Sequence, residues 1–291
     1  MQTRRLGPFT VSAVGFGGMP LSLAYGSVPP WEQGLLTVHA ALDAGITLVD
    51  TADIYAPTWD TMGHNERLVA EALRTYPGDT DAVVVATKAG VTRGPGETWG
   101  RDGSEAYLRG RIEASLLALG RDVLDLWQWH RPDLWQPFGE VVQTLARFRE
   151  EGLVRAVGLS NVNTEQIELA AGILGPGGLA SVQNQFSPRF RSSRQELELC
   201  GRLDVTFLAY SPLGGEGRVG LVASSFPVFA EIGLERDVSP QQVVLAWELA
   251  HGDHVIPIPG ATRPATITDS ARAADLRLTD EEVGRIEAQF T

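Results

Sequence analysis

Ala82-Val83-Val84-Val85-Ala86-Thr87-Lys88 is a near-continuous apolar run that stops on a charge. Rich in valine and without the alternation of a half-exposed strand, it reads as a strand covered on both faces, as parallel sheets require. Seven further runs can be placed: Ser12 to Phe16, Thr47 to Asp50, Val123 to Trp129, Val154 to Leu159, Leu179 to Gln183, Val205 to Tyr210 and His254 to Ile258. Helix-period segments separate them from the second run onward. Ser104 can cap a helix with the stripe Leu108, Ile112, Leu116 and Leu119, closed by Gly120. Ser239-Pro240-Gln241-Gln242 reads as a capping box with proline in the first turn, and Thr279 with Glu282 repeats the box before Val283 and Ile286. Eight strands alternating with helices predict an α/β fold of the (β/α)8 TIM barrel type, with the last box opening an additional C-terminal helix. A doubly wound sheet is disfavoured, because the nearest Gly-rich stretch, Gly15-Phe16-Gly17-Gly18, lacks the spacing of a dinucleotide fingerprint.

At 291 residues the chain suits one barrel domain spanning 1–291, and 43% hydrophobic with 21% charged residues allows a large core. A net charge of −12 with no basic cluster argues against nucleic acid and anionic membranes as partners. The one cysteine, Cys200, cannot close an intrachain disulfide. The N-terminus has no apolar signal core, and no run of about 18 apolar residues occurs. The expectation is a cytoplasmic protein, a monomer or weak oligomer, acting on a small molecule.

In such a barrel the reactive groups sit at the C-terminal ends of strands. Those positions hold Asp50 with Asp53 and Tyr55, then Lys88, His130, Ser160-Asn161, Gln183-Asn184, Tyr210-Ser211 and Gly260. Lys88 is the most informative, being the only lysine among 24 basic residues. A compact ammonium suits polarising a neighbour, where a guanidinium is a planar fork. A tyrosine, with a reference pKa of about 10, is a poor acid near neutrality unless a cation favours its phenolate, and Lys88 can offer that to Tyr55. Asp50 can compensate the ammonium, and His130 can orient a carbonyl. A different reading makes Asp50, Asp53 and His130 ligands of a divalent metal in a barrel hydrolase, although it lacks further ligands and leaves the lone lysine unexplained.

The ordered segments Gly15-Phe16-Gly17-Gly18-Met19, Asp50-Thr51-Ala52-Asp53-Ile54-Tyr55, Ala86-Thr87-Lys88, Asp125-Leu126-Trp127-Gln128-Trp129-His130, Gly158-Leu159-Ser160-Asn161, Gln183-Asn184-Gln185-Phe186, Tyr210-Ser211-Pro212-Leu213-Gly214 and Ile258-Pro259-Gly260 together resemble the aldo-keto reductase family. The resemblance implies reduction of aldehydes or ketones, with no metal: Tyr55 as general acid, Lys88 and Asp50 assisting it, His130 orienting the carbonyl, and hydride coming from NADPH, with NADH left open. It implies that Ser160, Asn161 and Gln183 hold the carboxamide and that Tyr210 stacks on the nicotinamide. Ser211, Leu213 and Gly214 would line the pyrophosphate, and Gly18 and Met19 would lie near the ribose, with Asp50 beside them. At the adenosine end the chain has Asp269-Ser270 where members often have Glu-Asn, and Arg263 is the residue placed to meet a 2′-phosphate. The loop with Glu216, Gly217 and Arg218 lacks a long clamp, which implies looser cofactor binding. The same resemblance leaves a cofactor-sensing regulatory subunit with slow turnover as an alternative. On the substrate side, the loop aromatics Tyr25, Trp31, Trp59, Trp99, Trp135, Phe226 and Phe229 predict an apolar pocket for a hydrophobic carbonyl compound.

Overall fold

The computed structural model describes residues 1–24, 26–215 and 217–290, with Val219 apart from its side chain; Tyr25 and Glu216, both singled out above, lie outside the described residues. An antiparallel hairpin comes first, β1 (Thr3–Leu6) and β2 (Phe9–Ser12). Three strands follow, β3 (Phe16–Gly17), β4 (Leu48–Asp50) and β5 (Val84–Ala89), then a second hairpin of β6 (Val91–Gly94) and β7 (Thr98–Arg101). After it come β8 (Leu124–Trp129), β9 (Val154–Ser160), β10 (Leu179–Gln185), β11 (Thr206–Tyr210) and β12 (Val255–Pro257). The two hairpins aside, these strands make one parallel sheet in the order β3-β4-β5-β8-β9-β10-β11-β12. The sheet closes on itself. Gly17 bridges Gly260 in parallel, and the amides of Gly15 and Gly17 donate to the carbonyls of Pro257 and Pro259 at 2.9 and 3.0 Å. A Cβ on Gly17 would stand 2.7 Å from the Ile258 carbonyl oxygen, so this seam requires glycine.

The helices α1 (Trp31–Asp43), α2 (His64–Thr75), α3 (Glu105–Leu119), α4 (Phe138–Glu150), α5 (Thr164–Leu174) and α6 (Arg194–Arg202) each follow a barrel strand. Two short helices, α7 (Val222–Ser225) and α8 (Pro227–Arg236), fill the connection from β11 to α9 (Pro240–Leu249). The eighth unit ends in α10 (Pro264–Ala271), and the expected extra helix is α11 (Asp280–Glu287). It packs beside α8, tied by Arg236 to Glu282 at 2.6 Å and Arg285 to Glu235 at 2.8 Å. Thr279 and Glu282 form the capping box read from the sequence, and Ser104 and Gly120 bound α3 as expected. At α9, Ser239 accepts from the Gln242 amide, but the Gln242 side chain turns to Asp269 at 2.6 Å, so the reciprocal arm of that box is spent on α10.

The first strand was expected at Ser12 to Phe16. Ser12 in fact ends β2, Ala13 still donates to the Gln2 carbonyl at the hairpin edge, and the barrel strand is Phe16–Gly17. The hairpin closes the lower end of the barrel: Leu6 and Val11 are fully buried among Leu48, Val84, Leu126, Ala156, Leu208 and Ile256. From that floor the inward positions climb every second residue, as strand geometry dictates. Leu48 leads to Asp50, Val84 and Ala86 to Lys88, Leu126 to Gln128, Ala156 to Gly158 and Ser160, and Leu208 to Tyr210. The interior is thus apolar below and polar at the C-terminal mouth.

Candidate active site

Lys88 ends its inward column completely buried, where an unpaired ammonium would be strongly disfavoured. Its three N–H bonds have three acceptors: Asp50 Oδ1 at 2.6 Å, the Thr51 carbonyl at 2.7 Å and Tyr55 Oη at 3.3 Å. Burial works against its charge, yet Asp50 and Tyr55 together hold the lysine pKa above its ordinary value. The other Asp50 oxygen accepts from Gln183 Nε2 at 2.7 Å and, at the limit of a hydrogen bond, from Gln128 Nε2 at 3.5 Å. Ser181 Oγ in turn donates to Gln128 Oε1 at 3.2 Å. Gln128 was not singled out in the sequence, although it lies in phase with Leu126 and two residues before His130.

Tyr55 follows β4 in a segment held from outside by Arg93 of β6. The Arg93 guanidinium donates to the carbonyls of Ile54, Ala56 and Pro57 at 3.3, 2.6 and 3.1 Å, and Glu97 anchors it at 2.5 Å. Burial raises the Tyr55 pKa; Lys88 opposes that shift and Asp50 adds to it. The lysine therefore moderates the phenol without making it more acidic than an ordinary tyrosine in the free protein, contrary to the sequence expectation, because burial outweighs one ammonium. The ring of His130 meets that of Tyr55 edge-on, with centroids 5.8 Å apart. Burial, then the charges of Lys88 and Arg131, push its pKa well below the ordinary histidine value, so it is a neutral imidazole at pH 7. Its Nδ1 is buried without a partner among the described residues.

The strand ends of β9, β10 and β11 bring Ser160, Asn161, Gln183 and Tyr210 to the same rim. Ser160 Oγ donates to the Gln183 carbonyl at 2.8 Å, and Asn161 Nδ2 donates to the His130 carbonyl at 3.0 Å. Asn161 Oδ1 accepts from Tyr210 Oη at 2.8 Å and from Arg131 at 3.1 Å. Asn161 and Ser211 both adopt positive φ, 59° and 52°, a conformation non-glycine residues rarely take except where neighbours enforce it. Ser211 and Gly214 form a tight turn, the Gly214 amide donating to the Ser211 carbonyl at 2.9 Å, with buried Leu213 between them. Gly18 lies against the carbonyl of Asp50, which accepts its amide proton at 2.7 Å, and Met19 packs on Ile54 and Tyr55.

At the adenosine end the expected residues divide. Arg263 stands exposed at the start of α10 and makes no ion pair among the described residues. Asp269 is engaged elsewhere, accepting from Ser239 Oγ and Gln242 Nε2 at 2.6 Å each, and Ser270 is buried. Asp269 thus serves the α9–α10 junction. Asp53, offered above as a metal ligand, pairs with Arg111 at 2.7 Å, while Asp50 faces an ammonium and two amides. Among the described residues no group of three or more His, Cys, Asp or Glu side chains is placed to hold a metal ion.

Four of the loop aromatics, Phe229, Phe226, Trp31 and Trp135, do not converge on one pocket. Phe229 is in the core against Trp247, Phe226 packs on Phe229 and Phe290, Trp31 stacks edge-on with His64, and Trp135 is 86% exposed. The cavity at the mouth, about 290 Å³, is polar instead, lined by Arg101, Arg131, Asn161, Asn184, Gln185, Ser193, Phe190 and Tyr210.

Comparison with known families matches the model described as "Aldo/keto reductase family" to residues 13–289. The chain belongs to this family. Among its relatives is a 6-dehydroglucose reductase of Novosphingobium aromaticivorans, 37% identical over 254 residues, 82% of this chain and 80% of that protein. A probable aldo-keto reductase of Glycine max is 31% identical over 304 residues, 96% of this chain and 85% of that one. Similar solved structures include a glycerol dehydrogenase from Gluconobacter oxydans, with a TM-score of 0.83 and 26% identity over 98% of this chain and 94% of that one. An aldo-keto reductase from Klebsiella pneumoniae in complex with NADPH has a TM-score of 0.82 and 25% identity over 99% and 95%. Among the described residues no helix is long and apolar enough to cross a membrane.

Proposed function

We propose that the protein reduces aldehydes or ketones to alcohols with NADPH, Tyr55 donating the proton. One observation carries this reading: every N–H of Lys88 is committed, one of them to Tyr55 Oη, so the phenol accepts from the ammonium and keeps its own proton for a substrate oxygen. Burial preserves that proton until it is needed. Once it has left, the phenolate gains the ammonium as a direct partner, and Asp50 keeps the ammonium charged. Such proton donation contributes about 10²- to 10⁴-fold. His130, neutral and edge-on to Tyr55, orients the carbonyl oxygen by hydrogen bonding and cannot compete as a cation.

A bound nicotinamide dinucleotide supplies the hydride. The residues present fit such a group: Asn161 and Tyr210 form a polar rim beside the phenol, the Ser211–Gly214 turn offers backbone donors, and unpaired Arg263 stands at a helix start for a phosphate. The fit is weaker where Asp269 is engaged by Ser239 and Gln242 and Ser270 is buried. Ser160 and Gln183 support the rim, the first through the Gln183 carbonyl and the second through Asp50.

The test is Tyr55→Phe, assayed with 4-nitrobenzaldehyde by loss of NADPH absorbance and by NADPH binding. Turnover should fall about 10²- to 10⁴-fold while cofactor affinity stays within about threefold, since Lys88 keeps its two shorter bonds. Unchanged turnover would remove Tyr55 from the reaction. A wild type that binds NADPH but turns over negligibly would favour a cofactor sensor.

A further inference from the structure

We propose that Arg101 and Arg131 form a recognition site for an anionic group on the carbonyl substrate, a carboxylate or a phosphate, making this an enzyme for acidic aldehydes or ketones. The inference rests on the reductase reading above and adds the class of substrate. Arg131 immediately follows His130, so its guanidinium starts from the residue that meets the carbonyl, and it reaches across to Asn161 Oδ1 at 3.1 Å. Arg101 comes from the end of the β6–β7 hairpin, held over the mouth by its bond to the Pro132 carbonyl at 3.0 Å. The two line one cavity of about 290 Å³ together with Asn161, Asn184, Ser193 and Tyr210.

In a chain of net charge −12 that cavity has two cations and, among the described residues, no carboxylate in its lining. Neither guanidinium makes an ion pair among the described residues. The nearest candidate, Asp133, is occupied: Oδ1 accepts the amides of Trp135 and Gln136 at 2.8 and 2.7 Å, and Oδ2 accepts that of Gly103. The bonds of the two arginines go to neutral oxygens, Arg101 to the Pro132 carbonyl and Arg131 to Asn161 Oδ1 and the Tyr210 hydroxyl, so neither charge is neutralised by them. Burial first, and then the charge of Arg131, lower the Arg101 pKa while Asp133 opposes them, so an anion entering beside the two forks would relieve a repulsion that Asp133 only partly offsets. A substrate with its carbonyl at Tyr55 and His130 would place an acidic group a few bonds away within reach of Arg131.

The experiment compares 4-carboxybenzaldehyde with its methyl ester, two aldehydes of similar shape and reactivity, using wild type, Arg101→Gln and the Arg101→Gln/Arg131→Gln pair. A third arm replaces the carboxylate with phosphate in 4-formylphenyl phosphate, to separate the two anions. The kcat/KM ratio of acid to ester should exceed about tenfold in wild type, mainly through KM, and fall at least about tenfold in the pair, as charged hydrogen bonds of this strength imply. Calorimetric binding of terephthalate, which cannot be reduced, supplies a readout independent of turnover and should weaken likewise. A ratio near one in wild type, with good turnover of the ester, overturns the anion site and leaves the reductase reading intact. Absent turnover of all three aldehydes with arginine-dependent terephthalate binding overturns the reductase reading alone. Weaker NADPH binding in the Arg101 variant, with an unchanged ratio, assigns the arginines to cofactor phosphates and overturns the proposal.

Discussion

Replacing Lys88 with methionine isolates what the ammonium does for Asp50. The variant loses bonds of 2.6 and 2.7 Å and leaves the Asp50 carboxylate, 3% exposed, facing only the amides of Gln183 and Gln128 at 2.7 and 3.5 Å. Removing one partner of a buried pair costs about 3–5 kcal/mol. One amide at full strength and one at the limit of contact offset part of that, which puts the loss near the lower end, about 3 kcal/mol. Adding Asp50→Asn should recover most of the loss at pH 7. Urea unfolding followed by tryptophan fluorescence at pH 7 measures wild type and both variants. A Lys88→Met protein as stable as wild type at pH 7, or one that Asp50→Asn does not rescue, would show that the ammonium is not balancing this carboxylate.

Two further carboxyls give stability predictions of their own. Glu248 in α9 is fully buried, neither oxygen has a partner among the described residues, and burial pushes its pKa well above the ordinary value. The native state holds this proton after the unfolded chain has released it, so stability drains away as pH rises above the usual glutamate range; Glu248→Met should raise stability by about 1–3 kcal/mol near neutrality, and an unfolding midpoint that stays put or drops rejects this. Asp53 behaves similarly within a narrower window: burial first, opposed by Arg111 and aided by Glu66, moves its pKa from 3.8 to about 7. Wild-type stability should fall as pH rises through that interval, and Asp53→Asn should flatten the fall; midpoints measured from pH 4 to pH 8 that run parallel for the two proteins would exclude it.

The part of this molecule legible from sequence is the part set by strand ends. Reactive groups of a barrel stand where its strands finish, and that rule points to Asp50, Lys88, Ser160, Gln183 and Tyr210. Gln128 is a further polar residue near a strand end, two places before His130. The elements that escaped have no such constraint. The β1–β2 hairpin mixes Leu6 and Val11 with Arg4, Arg5 and Gly7, a pattern that reads as a polar leader until the barrel floor supplies something for the two apolar side chains to cover. The β6–β7 hairpin is held by Arg93 reaching carbonyls nearly forty positions earlier, and no local signal announces that bond. Arg101 and Arg131 meet at one cavity only because this hairpin folds back over the mouth. Strand ends thus fix Asp50 and Lys88, whereas Tyr55, in the segment after β4, and the groups that would select the substrate depend on loop contacts between distant positions. Loop composition leaves side-chain direction open in the same way: it counts Trp135, Phe226 and Phe229 as available for an apolar pocket, and packing turns the first outward and the other two into helix contacts.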